Sequence, residues 1–170
     1  MSLITGVTAF TKELELGSIP YCIIGGLAVF AYGGERTTFD IDFLIDGQYR
    51  EQIRQIALKL GLTIFNENPE VLQMSGEAQI DIVFANRPHS KSMLTRSRKL
   101  SALPFPVISP EDLIGLKIQA YKSDLKREFI DKGDILTLFR KVPNLDFQKI
   151  KEYADIFNAW SEIEDIRKRI

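Results

Sequence analysis

Cysteine is almost absent. Cys22 stands alone, which excludes an internal disulfide, and its neighbours Tyr21, Ile23 and Ile24 suit a buried small hydrophobe in a reducing compartment. Histidine is as scarce: His89 has no cysteine or second histidine with which to share a metal, and it reads as a loop side chain. An excess of either charge is missing too. With 22 Lys plus Arg against 23 Asp plus Glu, no global field attracts nucleic acid or a membrane surface, so any polyanion must be met by a local patch. No apolar run approaches the ~18 residues needed to span a bilayer. The stretch Met1 to Gly17 carries Lys12, Glu13 and Glu15 where a secretory leader needs an unbroken apolar segment. Internal repeats and low-complexity segments are also lacking. These absences point to a cytoplasmic protein without a membrane partner.

What is present is enough apolar material for a real core: 45% of 170 residues are hydrophobic, which suits one domain with a helical extension. Ile4, Val7, Phe10, Leu14 and Leu16 recur roughly at helical spacing and predict a first helix ending at Gly17. The short run Tyr21 to Ile24, bounded by Pro20 and Gly25, predicts a buried strand, and Leu27 to Tyr32 a helix closed by Gly33 and Gly34. A strand from Phe39 to Ile45 and an amphipathic helix from Tyr49 to Leu60 follow. Further strands are predicted over 62–65, 71–74 and 79–84, giving five in all. Residues 87–99 are basic and read as a loop or short helix that is either a solvated surface or a track for an RNA backbone. Ser109, Pro110 and Asp112 then mark a helix start, and apolar periodicity to Ile170 supports two to four helices. Trp160, among Phe157, Ala159 and Ile163, packs a terminal helix. The expected fold class is α/β (α+β): a sheet core over residues 1–108 and a helical segment over 109–170 packed on it.

The chemistry is concentrated between Ile24 and Ile45. Asp40 and Asp42 alternate with Ile41 and Phe43, so on a strand the two carboxylates share one face, about 7 Å apart. Like charges in an otherwise apolar strand are costly to bury unless something neutralises them, and a divalent cation does. Mg²⁺ is commonly held by one or two carboxylates plus substrate phosphates, and a pair of ions needs a third acid. Asp81, the single acid inside the apolar run Gln79 to Phe84, supplies it. The bland alternative is an exposed acidic strand edge with Asp81 as a turn or capping residue. Gly25 and Gly26, between strand and helix, admit close backbone approach by a phosphate, although a tight structural turn would use the same residues.

The segment IIGGLAVFAYGGERTTFDIDFLI resembles the nucleotidyltransferase superfamily related to DNA polymerase beta, whose pattern is hydrophobic, Gly, Gly or Ser, a short helix, then Asp, hydrophobic, Asp. More narrowly it is similar to the AbiEii-type toxin branch. QIDIVFA extends the match to Asp81, and SPEDLIGLKIQAYKSD with FIDKGDILTLF extends it to Lys117, Asp131 and Asp134, so the likeness runs from about residue 20 to 140. It implies a nucleotidyltransferase-like mixed sheet flanked by helices. Asp40, Asp42 and Asp81 would be catalytic and hold two Mg²⁺ ions, with Asp81 the acid closest to the acceptor. Gly25, Gly26, Arg36, Thr37 and Lys117 would bind the nucleoside triphosphate, Arg36 and Lys117 as phosphate ligands, although either cation could instead be a surface charge or an ion-pair partner. Asp131 and Asp134 would line the cleft or anchor helices. The implied reaction transfers a nucleotide from the triphosphate to an acceptor hydroxyl with loss of pyrophosphate. An RNA or protein acceptor and an antitoxin partner fit the toxin branch. The alternatives are an enzyme modifying small molecules such as antibiotics, and a non-catalytic nucleotide-binding module of the same fold.

Overall fold

The computed structural model describes residues 3–35 and 37–170, with side-chain environments from Val7 onward. The chain divides into two compact units, Met1–Leu27 with Thr37–Ile108, and Ala28–Arg36 with Ser109–Ile170.

In the first unit α1 (Leu3–Leu16) leads into β1 (Tyr21–Ile24), and the chain continues into α2 (Gly25–Ala31), which from Ala28 onward, with the turn that follows it, belongs to the second unit. The turn after α2 is closed by Gly33 and Gly34, whose N–H groups donate to the carbonyls of Phe30 and Val29. Strand β2 (Asp40–Asp46) is followed by a 3₁₀ turn and α3 (Arg50–Lys59), then β3 (Thr63–Glu67), β4 (Val71–Ser75) and β5 (Gln79–Ala85). After α4 (Pro88–Thr95) come two short strands, β6 (Arg98–Lys99) and β7 (Pro106–Val107). Among the described residues these strands form one mixed sheet, in the order β3-β4-β5-β2-β1-β7-β6. The sequence reading found five of them. It missed β6 and β7 because strands of two residues have no periodicity to detect.

Strand β2 shows how the sheet acquires two unlike faces. Ile41, Phe43 and Ile45 are fully buried, whereas Asp40 and Asp42, which alternate with the first two, are half-buried. The apolar face is covered by α1 through Phe10, whose ring lies 5.3 Å from that of Phe43. The start of α3 joins it through Arg50, whose guanidinium sits 3.9 Å above the Phe84 ring. A sheet with one dry face leaves the other available for charged groups.

The second unit is built on α5 (Pro110–Ser123), α6 (Glu128–Lys141), α7 (Phe147–Ile156) and α8 (Trp160–Arg167). Helix α5 begins as its sequence dictates: Ser109 Oγ accepts from the Asp112 N–H at 3.3 Å, and Pro110 occupies the first turn, where its missing donor costs nothing. Gly115 lets α7 approach, since a Cβ there would lie 2.7 Å from the Tyr153 ring. Among the described residues no helix is long and apolar enough to cross a membrane.

Candidate active site

Strands β2 and β5 run parallel and pair Asp42 with Asp81 and Asp40 with Gln79. That register puts a carboxylate from each strand side by side, with Asp40 one step along the same face. One carboxylate oxygen from each of Asp40, Asp42 and Asp81 lies within 4.8 Å of the others, and all three residues are half-buried. Among the described residues this is the one cluster of three or more metal-ligating side chains. Carboxylates this close repel one another unless a cation lies between them. Neutral donors meet part of the charge. Thr38 Oγ donates to Asp40 Oδ1 at 2.7 Å, and the amides of Gln73 and Gln79 donate to the two oxygens of Asp81 at 2.6 and 3.1 Å. A set of hard oxygen ligands, oriented by hydroxyl and amide donors, fits a small divalent cation such as Mg²⁺.

The two glycines differ. Gly25 has φ +64°, a left-handed conformation, and a Cβ on it would lie 1.8 Å from Asp42 Oδ2. It is therefore the residue that the acid cluster requires to be glycine. Gly26 is buried in the first turn of α2. Thr37 is exposed, whereas the neighbouring Thr38, which the sequence reading passed over, holds Asp40. Gln73 and Gln79 were passed over as well. Gln73 carried a readable signal, being the polar residue between the buried Leu72 and Met74. Arg36 lies outside the described residues.

Lys117 belongs to the second unit, and its ammonium is 2.9 Å from Asp131 Oδ1 and 2.7 Å from Asp134 Oδ2. Its side chain is 4% exposed, so its charge is matched where it sits. Arg127 adds a second cation, 3.0 Å from Asp131 Oδ2. Of the roles open to Lys117 in the sequence, this geometry supports the ion-pair partner, with Asp131 and Asp134 joining α6 to α5. In the basic stretch, Lys91 pairs with Asp46 at 3.1 Å and Arg87 with Glu70 at 3.8 Å, while His89 is exposed.

No protein-family model and no curated protein sequence matches this chain. Solved structures do match. The crystal structure of ANT(2″)-Ia in complex with adenylyl-2″-tobramycin aligns with a TM-score of 0.59 and 16% identity, covering 99% of this chain and 97% of that one. The lincosamide antibiotic adenylyltransferase LnuA, lincomycin-bound, gives 0.58 and 18% over 79% of this chain and 94% of its own. An antigenic nucleotidyltransferase-like protein from Paracoccidioides brasiliensis gives 0.61 and 18%, covering 98% and 92%. The mixed sheet with its flanking helices is the nucleotidyltransferase fold.

Proposed function

We propose that this chain is an Mg²⁺-dependent nucleotidyltransferase that moves a nucleoside monophosphate from a nucleoside triphosphate to an acceptor hydroxyl. The observation that carries the reading is the convergence of Asp40, Asp42 and Asp81 on one sheet face, against a glycine whose missing side chain makes room for Asp42. In this reading the three acids hold two ions. Held there, Mg²⁺ would supply positive charge against the triphosphate and against the charge on the oxygens around the α-phosphorus. Gly25 and Gly26 let the backbone approach the phosphates, and Arg36 and Thr37 contact them. The acceptor oxygen forms its bond to the α-phosphorus as the bond to the β-phosphate bridging oxygen breaks. Pyrophosphate leaves, and the hydroxyl proton passes toward Asp81, the acid nearest the acceptor. The protein's share of the work is positioning and charge neutralisation, as phosphoryl transfer demands.

Two acceptor classes have support. The order of Gly pair, Arg, Thr and Asp pair resembles the AbiEii-type branch and favours a toxin-like role on RNA or protein, with an antitoxin partner. The likeness to ANT(2″)-Ia and LnuA over nearly their whole lengths favours a small hydroxylated antibiotic. The deciding experiment incubates the protein with each α-labelled nucleoside triphosphate, Mg²⁺ and, in parallel, total RNA, lysate protein, aminoglycosides and lincosamides. Label on one class identifies the acceptor. Nucleotide binding without label on any class would replace the enzyme by a nucleotide-binding module.

A further inference from the structure

A row of polar side chains crosses the acidic face of the sheet on a single rung. Asn66 of β3 is paired with Gln73 of β4, Gln73 with Asp81 of β5, and Asp81 with Asp42 of β2. The side chains bond along the same line: Asn66 Nδ2 donates to Gln73 Oε1 at 2.7 Å, and Gln73 Nε2 donates to Asp81 Oδ2 at 2.6 Å. Asn66 fixes which end of the Gln73 amide faces the acid, because the carbonyl end is already occupied as an acceptor.

The rung exists only because β3 is irregular. Ile64 pairs with Met74, so regular pairing would set Phe65 against Gln73, but the register shifts between Ile64 and Asn66 and brings Asn66 there instead. Phe65 is left 53% exposed. An extra residue that re-aims a side chain toward a charged site is the use to which such bulges are commonly put. Gln79 also donates to Asp81, but at 3.1 Å, from an exposed position.

We propose that Gln73, steadied by Asn66 across the bulge, is a positioning residue that fixes the orientation of Asp81 as a metal ligand. This rests on the nucleotidyltransferase reading of the acid cluster. In this role Gln73 acts through Asp81, to which it donates. It occupies one oxygen of Asp81 and thereby limits how the carboxylate can turn relative to Asp42. Outer partners of metal ligands typically change metal affinity or activity by about 10–100-fold when removed.

The test measures Mn²⁺ binding by the loss of the free-ion electron paramagnetic resonance signal, for wild type, Asp42→Asn, Gln73→Met and Asn66→Ala. Thermal melts without metal accompany it. Gln73→Met keeps length and bulk and removes the donor. It should fold, weaken Mn²⁺ binding by about tenfold or more, and lower kcat more than it raises the nucleotide KM. Asn66→Ala, remote from the acids and exposed, should shift binding the same way by less, and it decides the matter if Gln73→Met does not fold. Mn²⁺ affinity unchanged in both variants, with Asp42→Asn impaired, overturns the role of Gln73 and leaves the metal reading standing. Wild type binding no better than Asp42→Asn overturns both.

Discussion

The Asp42 side chain fills the space that a side chain on Gly25 would need. A Cβ on Gly25 would lie 1.8 Å from Asp42 Oδ2 and 2.9 Å from its Cβ, and the Gly25 φ of +64° is one that L side chains rarely adopt. The glycine and the acid are thus one feature, built by the pairing of Ile24 with Asp42 across β1 and β2. Gly25→Ala should cost about 1–2 kcal/mol for the left-handed backbone, and more where the acid is forced aside. Melting and Mn²⁺ titration read the two effects separately. The expected outcome is a moderate fall in the melting temperature and loss of most metal binding. Gly26→Val tests the other glycine: nucleotide affinity should fall in calorimetric titration, and an unchanged affinity would return Gly26 to a purely structural role.

Asp42→Asn should do the reverse to stability. Three clustered acids repel in the absence of metal, so removing one charge should leave the metal-free melting temperature unchanged or raise it. Transfer should collapse by roughly two orders of magnitude or more, the scale for a lost electrostatic contact to the transition state. The extra stability conferred by Mg²⁺ should shrink with it, and chelation should bring the wild-type melt down to its metal-free value. A metal-free melt far below wild type would make the acids structural and sink the central reading.

How much of this was legible beforehand depended on whether the cause was local. Asp40, Asp42 and Asp81 stand out because each is a charge inside a largely apolar run. Their meeting depends on β2 lying beside β5 in register, a contact between segments about 40 residues apart that no local pattern encodes. Gln73 was visible as a polar interruption, but its purpose appears only with the bulge at Phe65 that supplies Asn66. Thr37 and Thr38 are indistinguishable by type; the bend before β2 decides that Thr38 holds Asp40. Lys117 was read as a phosphate ligand or an ion-pair partner, and the Asp131 and Asp134 contacts that favour the second come from another helix. The two-residue strands β6 and β7 are set by their neighbours in the sheet and not by their own sequence.

Lys117 gives a prediction of the opposite kind to Asp42. Asp131 and Asp134 are buried around its ammonium, and Lys117→Met would take that cation away from both carboxylates, leaving Arg127 on Asp131. Breaking a buried ion pair from one side typically costs about 3–5 kcal/mol. Denaturant titration should show a loss on that scale, with or without nucleotide. A variant of wild-type stability that has lost only nucleotide affinity would restore Lys117 to the role of phosphate ligand.

Glu162 of α8 supplies a prediction in pH. Burial pushes its carboxyl up, but hydrogen bonds and charge from Lys122 and Lys132 outweigh burial and hold it below the usual value of 4.5. Lys132 reaches Glu162 Oε2 at 2.7 Å and also binds Glu128 at 2.6 Å, so one cation ties α6 to α8. A carboxyl with a depressed folded-state pKa contributes stability that is fully present above its unfolded value and is lost as pH falls through the folded one. The partly exposed network should be worth about 1 kcal/mol at neutral pH, or roughly 2–4 °C in melting temperature for a chain of this size. Glu162→Gln should therefore melt below wild type by that margin down to about pH 4.5, with the gap closing on further acidification. A gap that persists unchanged well below that pH would mean Glu162 acts through packing, and the ion network would contribute nothing to holding α6 and α8 together.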